Sequence, residues 1–405
     1  MPRRVLLILP TRTYRAGALL AACRELGVEA VVASDRPSTL AGVQPGLELV
    51  VDLERPAAAA EAAEEMARSW PLAAVVPADD GAVLAGAAIA ERLGLRGSPV
   101  AAVAATRDKL ELRRRLEGAG LPQPRHWAWS SGVEPPTVSF PAVVKPLDQA
   151  GSRGVIRVED QKALSAAGDR VRRLLARDGC GGEEGIPLVV EEFLAGPEVA
   201  LEGVLVQGRL HRLAVYDKPE PLDGPYFEET IYTVPSALDP SRLAQVQEEV
   251  QQATWALGLL EGAVHAELRL GRPRPHLIDM AARSIGGRCS GVLRFRSGRT
   301  LEQVLVAAAL GDELGELELE PGVRGVMMLP IPHAGTLGPV PGRDGVLLLP
   351  GIDGVELTVP PGGRVLPLPE GDRYLGFIFA HGPDPAAVAR LLRRAQRQLG
   401  VVIRA

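Results

Sequence analysis

Short apolar runs alternate with helical patterns over the first hundred residues, and this alternation constrains the fold more than any other feature. The runs at Arg4–Leu9 and Leu72–Pro77 predict buried strands. The spacing of apolar residues over Tyr14–Leu26 and Ala82–Leu93 predicts helices. Strands that alternate with helices are typical of a parallel sheet, so the chain is expected to begin with an α/β domain.

The loop after the first strand has no GxGxxG pattern, so a dinucleotide site there is not expected. Ligands nevertheless bind at the carboxyl ends of parallel strands. Thr11, Arg12 and Asp79 follow such strands and are candidate substrate contacts. Ordinary loop and cap residues are the alternative interpretation for each of them.

The composition excludes several classes of protein. The net charge of −5 has mixed signs, which argues against nucleic-acid and membrane-surface partners. The three cysteines form no CxxC pair, so neither a disulfide framework nor a zinc site is indicated. No apolar run approaches the ~20 residues of a membrane span. A cytoplasmic protein is expected.

The chain contains four lysines against forty-one arginines. Lysine is a compact charge on a flexible stem, which suits close approach to a phosphate. Lys109, Lys145 and Lys218 lie in sequence contexts that fit phosphate chemistry, whereas Lys162 resembles an exposed helix residue. The alternative is that all four are chance survivors of lysine depletion.

A glycine-rich segment follows the strand Phe140–Lys145, which delivers Lys145 to its end. Residues 149–155 read Gln-Ala-Gly-Ser-Arg-Gly-Val, and glycine lets backbone N–H groups approach phosphate oxygens. An ordinary hairpin is the alternative. No GxxxxGK[ST] pattern exists, so this is not a P-loop protein.

Two predicted strands, 263–270 and 275–280, are joined by a proline-rich turn. A turn centred on Pro273 places Glu267 directly opposite Asp279. Like charges in that position are destabilising, unless a hard cation lies between them. A slipped register would separate the charges and remains the alternative. Arg283 follows, beside a flexible turn, where it could bind a carboxylate or a transferring phosphoryl group.

The order of these features resembles the ATP-grasp superfamily, and the resemblance covers essentially the whole chain. It implies that Lys109 and Lys145 contact ATP phosphates and that a glycine loop closes over them. It also implies that a strand end reads the adenine, that Glu198 holds the ribose hydroxyls, and that Glu267 and Asp279 carry magnesium. The loop residues are Gly151, Ser152 and Gly154, and the strand-end residues are Glu191, Glu192, Phe193 and Leu194.

A closer likeness is to the L-amino acid ligase and carnosine-synthase-like branch. It rests on residues 278–283, Ile-Asp-Met-Ala-Ala-Arg, and on residues 217–219 and 224–230. The likeness implies Arg283 and Lys218 as catalytic residues. Ala281 stands where many ATP-grasp enzymes have an asparagine, so one metal ligand is lost unless Glu228 or Glu229 compensates. Of these two, Glu229 is the predicted ligand.

The expected fold is α/β: an ATP-grasp fold with an N-terminal Rossmann-like domain and a C-terminal α+β lobe. The predicted domains are residues 1–105, 106–310 and 320–405. Within the lobe, residues 323–330, 345–349, 354–359 and 374–380 are expected strands. Residues 385–399 are an expected amphipathic helix.

The resemblance implies an ATP-dependent carboxylate–amine ligase that works through an acyl phosphate and releases ADP and phosphate. ATP and Mg²⁺ or Mn²⁺ are the expected cofactors. The expected partners are small carboxylates and amines, amino acids above all, and the resemblance allows a homodimer. The alternatives are a purine-biosynthetic type of carboxylase or formyl-phosphate transferase, and a non-catalytic ATP-binding protein.

Overall fold

A computed structural model describes residues 3–37, 48–180 and 185–404. The first sheet is parallel, with strand order β3-β2-β1-β4, as the strand–helix alternation predicted. Its members and flanking helices are β1 (Arg4–Ile8), α1 (Ala16–Glu25), β2 (Glu29–Ser34), β3 (Glu48–Val50), α2 (Pro56–Ser69), β4 (Ala74–Pro77), α3 (Val83–Leu93) and α4 (Val100–Thr106).

A second, antiparallel sheet has the order β5-β8-β6-β7. Its strands and nearby helices are α5 (Lys109–Gly118), β5 (His126–Trp129), β6 (Ala142–Pro146), β7 (Ile156–Val158), α6 (Gln161–Arg177) and β8 (Leu188–Glu192). The α6 helix begins after Asp160, whose carboxylate caps the N–H of Ala163, and it packs its apolar face on this sheet.

The largest sheet has eight strands in the order β13-β12-β9-β10-β11-β14-β18-β16. Its elements up to residue 310 are β9 (Glu198–Val206), β10 (Arg209–Lys218), β11 (Ile231–Val234), α7 (Pro240–Leu257), β12 (Gly262–Arg269), β13 (His276–Ala281) and α8 (Leu301–Leu310). Strand β9 is buried along almost its whole length because α7 and α8 both pack against it.

The C-terminal part adds its strands to that same sheet, because β14 pairs directly with β11. Its elements are β14 (Val323–Met328), β15 (Gly335–Leu337), α9 (Arg343–Leu347), β16 (Ile352–Leu357), β17 (Arg364–Val365), β18 (Gly376–Gly382), α10 (Pro385–Leu399) and β19 (Ile403–Arg404). Strands β17-β15-β19 form a separate small sheet. The domain boundaries predicted from the sequence stay predictions.

The strand predicted over residues 345–349 is wrong, because α9 occupies residues Arg343–Leu347. The apolar run Val346–Leu349 suggested a strand, but only Val346 is buried there, and Leu348 is 84% exposed. One buried residue per turn is the pattern of a short surface helix. The helix predicted over Pro385–Leu399 is confirmed.

None of the helices within the described ranges is both long and apolar enough to cross a membrane. The cytoplasmic location remains a prediction.

Candidate active site

The hairpin formed by β12 and β13 places Glu267 directly opposite Asp279, as the sequence predicted. The register shifts by one residue beyond this pair, so Ile278 forms a bulge with no partner on β12. The carbonyl of Ile278 accepts a hydrogen bond from Arg113 at 2.5 Å, and the Lys145 ammonium lies 3.5 Å away. The bulge therefore joins the hairpin to α5 and β6.

Each of the two opposed acids is paired with its own lysine. The Lys109 ammonium lies 3.1 Å from a carboxylate oxygen of Asp279, and the Lys218 ammonium lies 2.7 Å from one of Glu267. Lys109 reaches this position because it is the first residue of α5, which Asp108 caps. The two ammonium groups offset the repulsion that an opposed pair of carboxylates would otherwise have.

The Lys218 ammonium lies among three carboxylates. It is 2.5 Å from Glu198, 2.8 Å from Glu229 and 2.7 Å from Glu267. Burial lowers the pKa of Lys218, but the three carboxylates outweigh burial and raise that pKa well above its ordinary value. The same ammonium holds the pKa of Glu267 well below its usual range despite burial. The three carboxylates therefore favour the charged form of the buried Lys218 side chain.

The adjacent residues Glu228 and Glu229 have different hydrogen-bond partners. Glu229 accepts hydrogen bonds from the hydroxyl groups of Tyr232 at 2.5 Å and Tyr374 at 3.2 Å. Glu228 instead accepts the backbone N–H of Ile331 at 3.0 Å, away from the lysine cluster. Of the two residues that the sequence offered as a compensating ligand, Glu229 is the one near Glu267.

The donor set at this point fits a hard divalent cation. Carboxylate oxygens of Glu198, Glu229 and Glu267 lie within 4.8 Å of one another, and such oxygens are the ligands that Mg²⁺ prefers. The Lys218 ammonium already contacts all three. A cation there would have to displace Lys218, or bind on the side of Glu267 that faces Asp279.

Lys145 takes part in a buried ion-pair chain at the centre of the site. Its ammonium lies 2.7 Å from one oxygen of Glu191, and the Arg113 guanidinium lies 2.7 Å from the other. Burial raises the pKa of Glu191, but Arg113 and Lys145 outweigh burial and lower that pKa to about 2. The chain holds the Lys145 ammonium at the end of β6.

The glycine-rich segment is a loop with positive φ angles at Gly151, Ser152 and Gly154. Gly151 and Ser152 line the cavity of the site, but Gly154 does not. The N–H of Gly154 donates to the carbonyl of Pro369 at 3.0 Å, which ties the loop to the C-terminal part of the chain. At Gly154 the glycine is required by a φ of +72° and by Pro146, which a Cβ would approach to 3.2 Å.

The end of β8 and the residues that follow it also line the cavity. Glu192, Phe193 and Leu194 all lie there. Glu198 begins β9, and its second oxygen lies 3.1 Å from the guanidinium of Arg269. That guanidinium also faces the Phe193 ring at 5.7 Å, so Arg269 connects the segment to β12.

Arg283 follows β13 and forms an ion pair with Asp80, which lies between β4 and α3. Its guanidinium lies 2.6 Å from Asp80, which also lies 3.2 Å from Arg107. Burial raises the pKa of Asp80, but Arg283 and Arg107 outweigh burial and lower that pKa. Asp80 is therefore an ionised anchor, and it holds the Arg283 side chain at the edge of the cavity.

A buried polar network supports the turn after Arg283. Glu202 accepts the N–H of Ile285 at 2.9 Å and lies 3.2 Å from the Nδ1 atom of His265. Burial lowers the pKa of His265, but Glu202 and Glu267 outweigh burial and raise that pKa to about 9. Arg15 reaches the same turn through the carbonyl of Ile285 at 3.1 Å.

Most of these side chains line one cavity of about 410 Å³, to which the loops after β1 and β4 of the parallel sheet, the sheet β5-β8-β6-β7 and the eight-stranded sheet all contribute residues. Two residues predicted for the site do not line it: Gly154, and Lys218, which contacts the lining carboxylates. Of the three candidates in the N-terminal loops, Arg12 and Asp79 line the cavity, whereas Thr11 is bonded to Asp35. Eight further residues belong to the site or support it but were not predicted from the sequence: Arg15, Asp80, Arg113, Glu202, Tyr232, His265, Arg269 and Tyr374.

Arg113 is the omission that a sequence signal could have corrected. It lies one helical turn after Lys109 and therefore on the same face of α5. A buried arginine on the face that carries a site lysine needs a carboxylate partner. The other omissions come from distant parts of the chain, and no spacing rule connects them.

Two sequence families match different parts of the chain. Residues 138–292 match the ATP-grasp domain, and residues 327–404 match the L-amino acid ligase C-terminal domain 2. Alanine–anticapsin ligase from Bacillus subtilis (strain 168) is 28% identical over 237 residues, which are 53% of this chain and 49% of that protein. Carnosine synthase 1 from Gallus gallus is 30% identical over 57% of this chain and 26% of that protein.

The chain spans about half the length, or less, of these curated relatives. An L-amino acid ligase from Bacillus licheniformis, known from its crystal structure, matches the entire fold. Its TM-score is 0.81 and its identity 25%, and the match covers 100% of this chain and 99% of that one. The chain thus has an ATP-grasp domain joined to an L-amino acid ligase C-terminal domain, in the fold of an L-amino acid ligase.

Proposed function

We propose that this protein is an ATP-dependent ligase that joins a carboxylate to an amine through an acyl phosphate and releases ADP and phosphate. The observation that carries the proposal is the opposed pair Glu267 and Asp279, each with its own lysine, in the large cavity of this fold. The lysine ammonium groups suit the phosphates of a bound triphosphate, and the carboxylates suit its metal ion. The related proteins supply the reaction class.

The nucleotide is proposed to lie between the glycine loop and the segment after β8. Lys109 and Lys145 would neutralise its phosphates, because each ammonium is held at the cavity wall by a carboxylate. Within residues 3–37, 48–180 and 185–404, the backbone N–H groups of Gly151 and Ser152 donate to no backbone carbonyl, unlike that of Gly154, so they could approach phosphate oxygens.

The adenine would be read by the segment from Glu191 to Leu194, and the ribose hydroxyls by Glu198. Glu192, Phe193 and Leu194 offer backbone groups and an apolar face at the cavity wall. Glu198 is also fixed by Lys218 and Arg269, so its geometry is set before any ligand arrives.

Glu267, Asp279 and Glu229 are proposed to hold Mg²⁺ or Mn²⁺. When bound, such an ion neutralises the charge of the transferring phosphoryl group. Lys218 would keep Glu198, Glu229 and Glu267 ionised and correctly spaced, and Lys109 would do the same for Asp279. Ala281 offers no ligand, which is why Glu229 enters the proposed set.

Arg283 is proposed to bind the carboxylate as it becomes an acyl phosphate. The attack of a carboxylate oxygen on the terminal phosphorus releases ADP, and the amine then displaces phosphate from the acyl carbon. A guanidinium held by Asp80 can stabilise the charge that develops in both steps. Amino acids are the proposed substrates, and a homodimer is the proposed assembly.

A screen of substrate pools tests the proposal. The protein is incubated with ATP, Mg²⁺ and pools of L-amino acids, and released phosphate is measured. The expected result is release that depends on particular pools and yields a new amide by mass spectrometry. Tight ATP binding without release in any pool would favour the non-catalytic alternative, which Ala281 motivates.

A further inference from the structure

A second, smaller chamber of about 100 Å³ adjoins the main cavity. The two share Ala150 and Gly151 of the glycine loop, and also Glu229 and Tyr374. The far wall of the chamber comes from the C-terminal part of the chain, residues 366–374 and Leu329 to Ile331. The chamber therefore lies between the proposed phosphate loop and the C-terminal part of the chain.

The chamber contains the carboxylate of Glu228, which has no positively charged partner in the described part of the chain. Glu228 is half-buried and accepts the N–H of Ile331 at 3.0 Å. Within the described ranges, no lysine, arginine or histidine forms an ion pair with it, in contrast to Glu229, which Lys218 holds at 2.8 Å. Arg373 also lines the chamber, but its guanidinium lies 3.1 Å from Asp372.

One part of the chamber wall, formed by four residues of the C-terminal part of the chain, is aliphatic. Leu329 and Ile331 form a buried floor, and Leu368 lies beside them. Leu366 is 48% exposed at the rim. An exposed leucine beside an unpaired carboxylate is a surface that an apolar group carrying a positive charge would cover.

We propose that this chamber binds a primary ammonium group attached to an aliphatic chain, with Glu228 as the partner of the ammonium. The proposal rests on the proposed function, in which the natural source is one of the two amino acids that are joined. Either the amine or the α-amino acid that supplies the carboxylate has this chemistry. In either case the bound substrate would lie close to the glycine loop, which is tied to the same wall through the hydrogen bond between Gly154 and Pro369.

Direct binding tests the chamber independently of turnover. Calorimetry compares L-leucine, L-leucinamide and N-acetyl-L-leucine, the last of which lacks the ammonium. The expected result is binding of the first two only. Glu228→Gln is expected to weaken that binding at least about tenfold. The control Glu316→Gln, at an exposed glutamate outside both cavities, should not change it.

A second variant tests the aliphatic wall without disturbing the core. Leu366→Ala changes a half-exposed side chain, and it should weaken the binding of L-leucine more than the binding of L-alanine. The proposal would be overturned if N-acetyl-L-leucine bound as tightly as L-leucine. It would also be overturned if Glu228→Gln bound L-leucine as tightly as the wild type does.

Kinetics then identify which substrate uses the chamber. With hydroxylamine as a small amine, Glu228→Gln raises the KM for the acid if the chamber serves the acid. It raises only the KM for the aliphatic amine if the chamber serves the amine. Unchanged KM values in both assays of an active enzyme overturn the chamber and leave the ligase standing. Ammonium-dependent binding without any turnover overturns the ligase and leaves the chamber standing.

Discussion

The carboxylates of Glu267 and Asp279 face each other across the β12–β13 hairpin, and a different lysine compensates each of them. Both carboxylates lie at the cavity wall, and each has a positively charged partner. Removing one acid therefore has two opposing effects on stability. Repulsion is relieved, but one ammonium loses its partner.

Asp279→Ala should abolish activity while changing the stability of the ligand-free protein by no more than about 1 kcal/mol. Relief of repulsion and the loss of the Lys109 ion pair oppose each other. Asp279→Glu should retain part of the activity, because it keeps a carboxylate at the site. Phosphate release and the denaturant midpoint measure the two effects. An active Asp279→Ala enzyme would show that the pair is not the metal site.

Lys145→Ala should weaken ATP binding by a factor of ten or more while the protein stays folded. Glu191 keeps its second partner, Arg113, so the loss of the lysine leaves no unpaired buried charge. Calorimetry with ATP and Mg²⁺ measures the affinity. The matched control is Lys162→Ala, which changes an exposed residue of α6 and should bind ATP as the wild type does.

Glu191 makes stability depend on pH in a defined window. Its pKa falls from an ordinary 4.5 to about 2 in the folded protein. Its contribution is therefore complete above pH 4.5 and is lost as the pH falls through 2, and it is on the order of 3 kcal/mol. The denaturant midpoints of the wild type and Glu191→Gln should differ at pH 6 and converge toward pH 2. A difference that does not change with pH would contradict this account.

Lys218→Met should lower stability by about 3–5 kcal/mol, because the buried Glu198 and the half-buried Glu229 and Glu267 lose their common cation. Without nucleotide, Mn²⁺ should then raise the Tm of this variant more than that of the wild type, since the ion can take the place of the ammonium. Lys162→Met serves as the control. Equal Mn²⁺ shifts in all three proteins would show that no ion takes the place of the ammonium.

The central hairpin could be predicted because the residues that determine its register lie close together in the sequence. Pro273 marks the turn, and the alternation of the two strands fixes which residues face each other. The bulge at Ile278 could not be predicted, because it depends on Arg113 and Lys145, which lie more than 130 residues away.

The lobe and the chamber show the limits of local patterns. The apolar run at Val346–Leu349 predicted a strand, but residues Arg343–Leu347 form a helix in which only Val346 is buried. Glu228 and Glu229 are equivalent in sequence, and only the pairing of distant elements assigns one to Lys218 and the other to Ile331. Long-range contacts carry that information.

Product analysis with hydroxylamine tests the ligase proposal most directly. The protein is incubated with ATP, Mg²⁺, hydroxylamine and pools of L-amino acids, and nucleotides and hydroxamates are separated by chromatography. The expected products are ADP and phosphate together with an amino-acid hydroxamate, and none of them is expected from Asp279→Ala. Formation of AMP and pyrophosphate would show an acyl-adenylate route and would contradict the account.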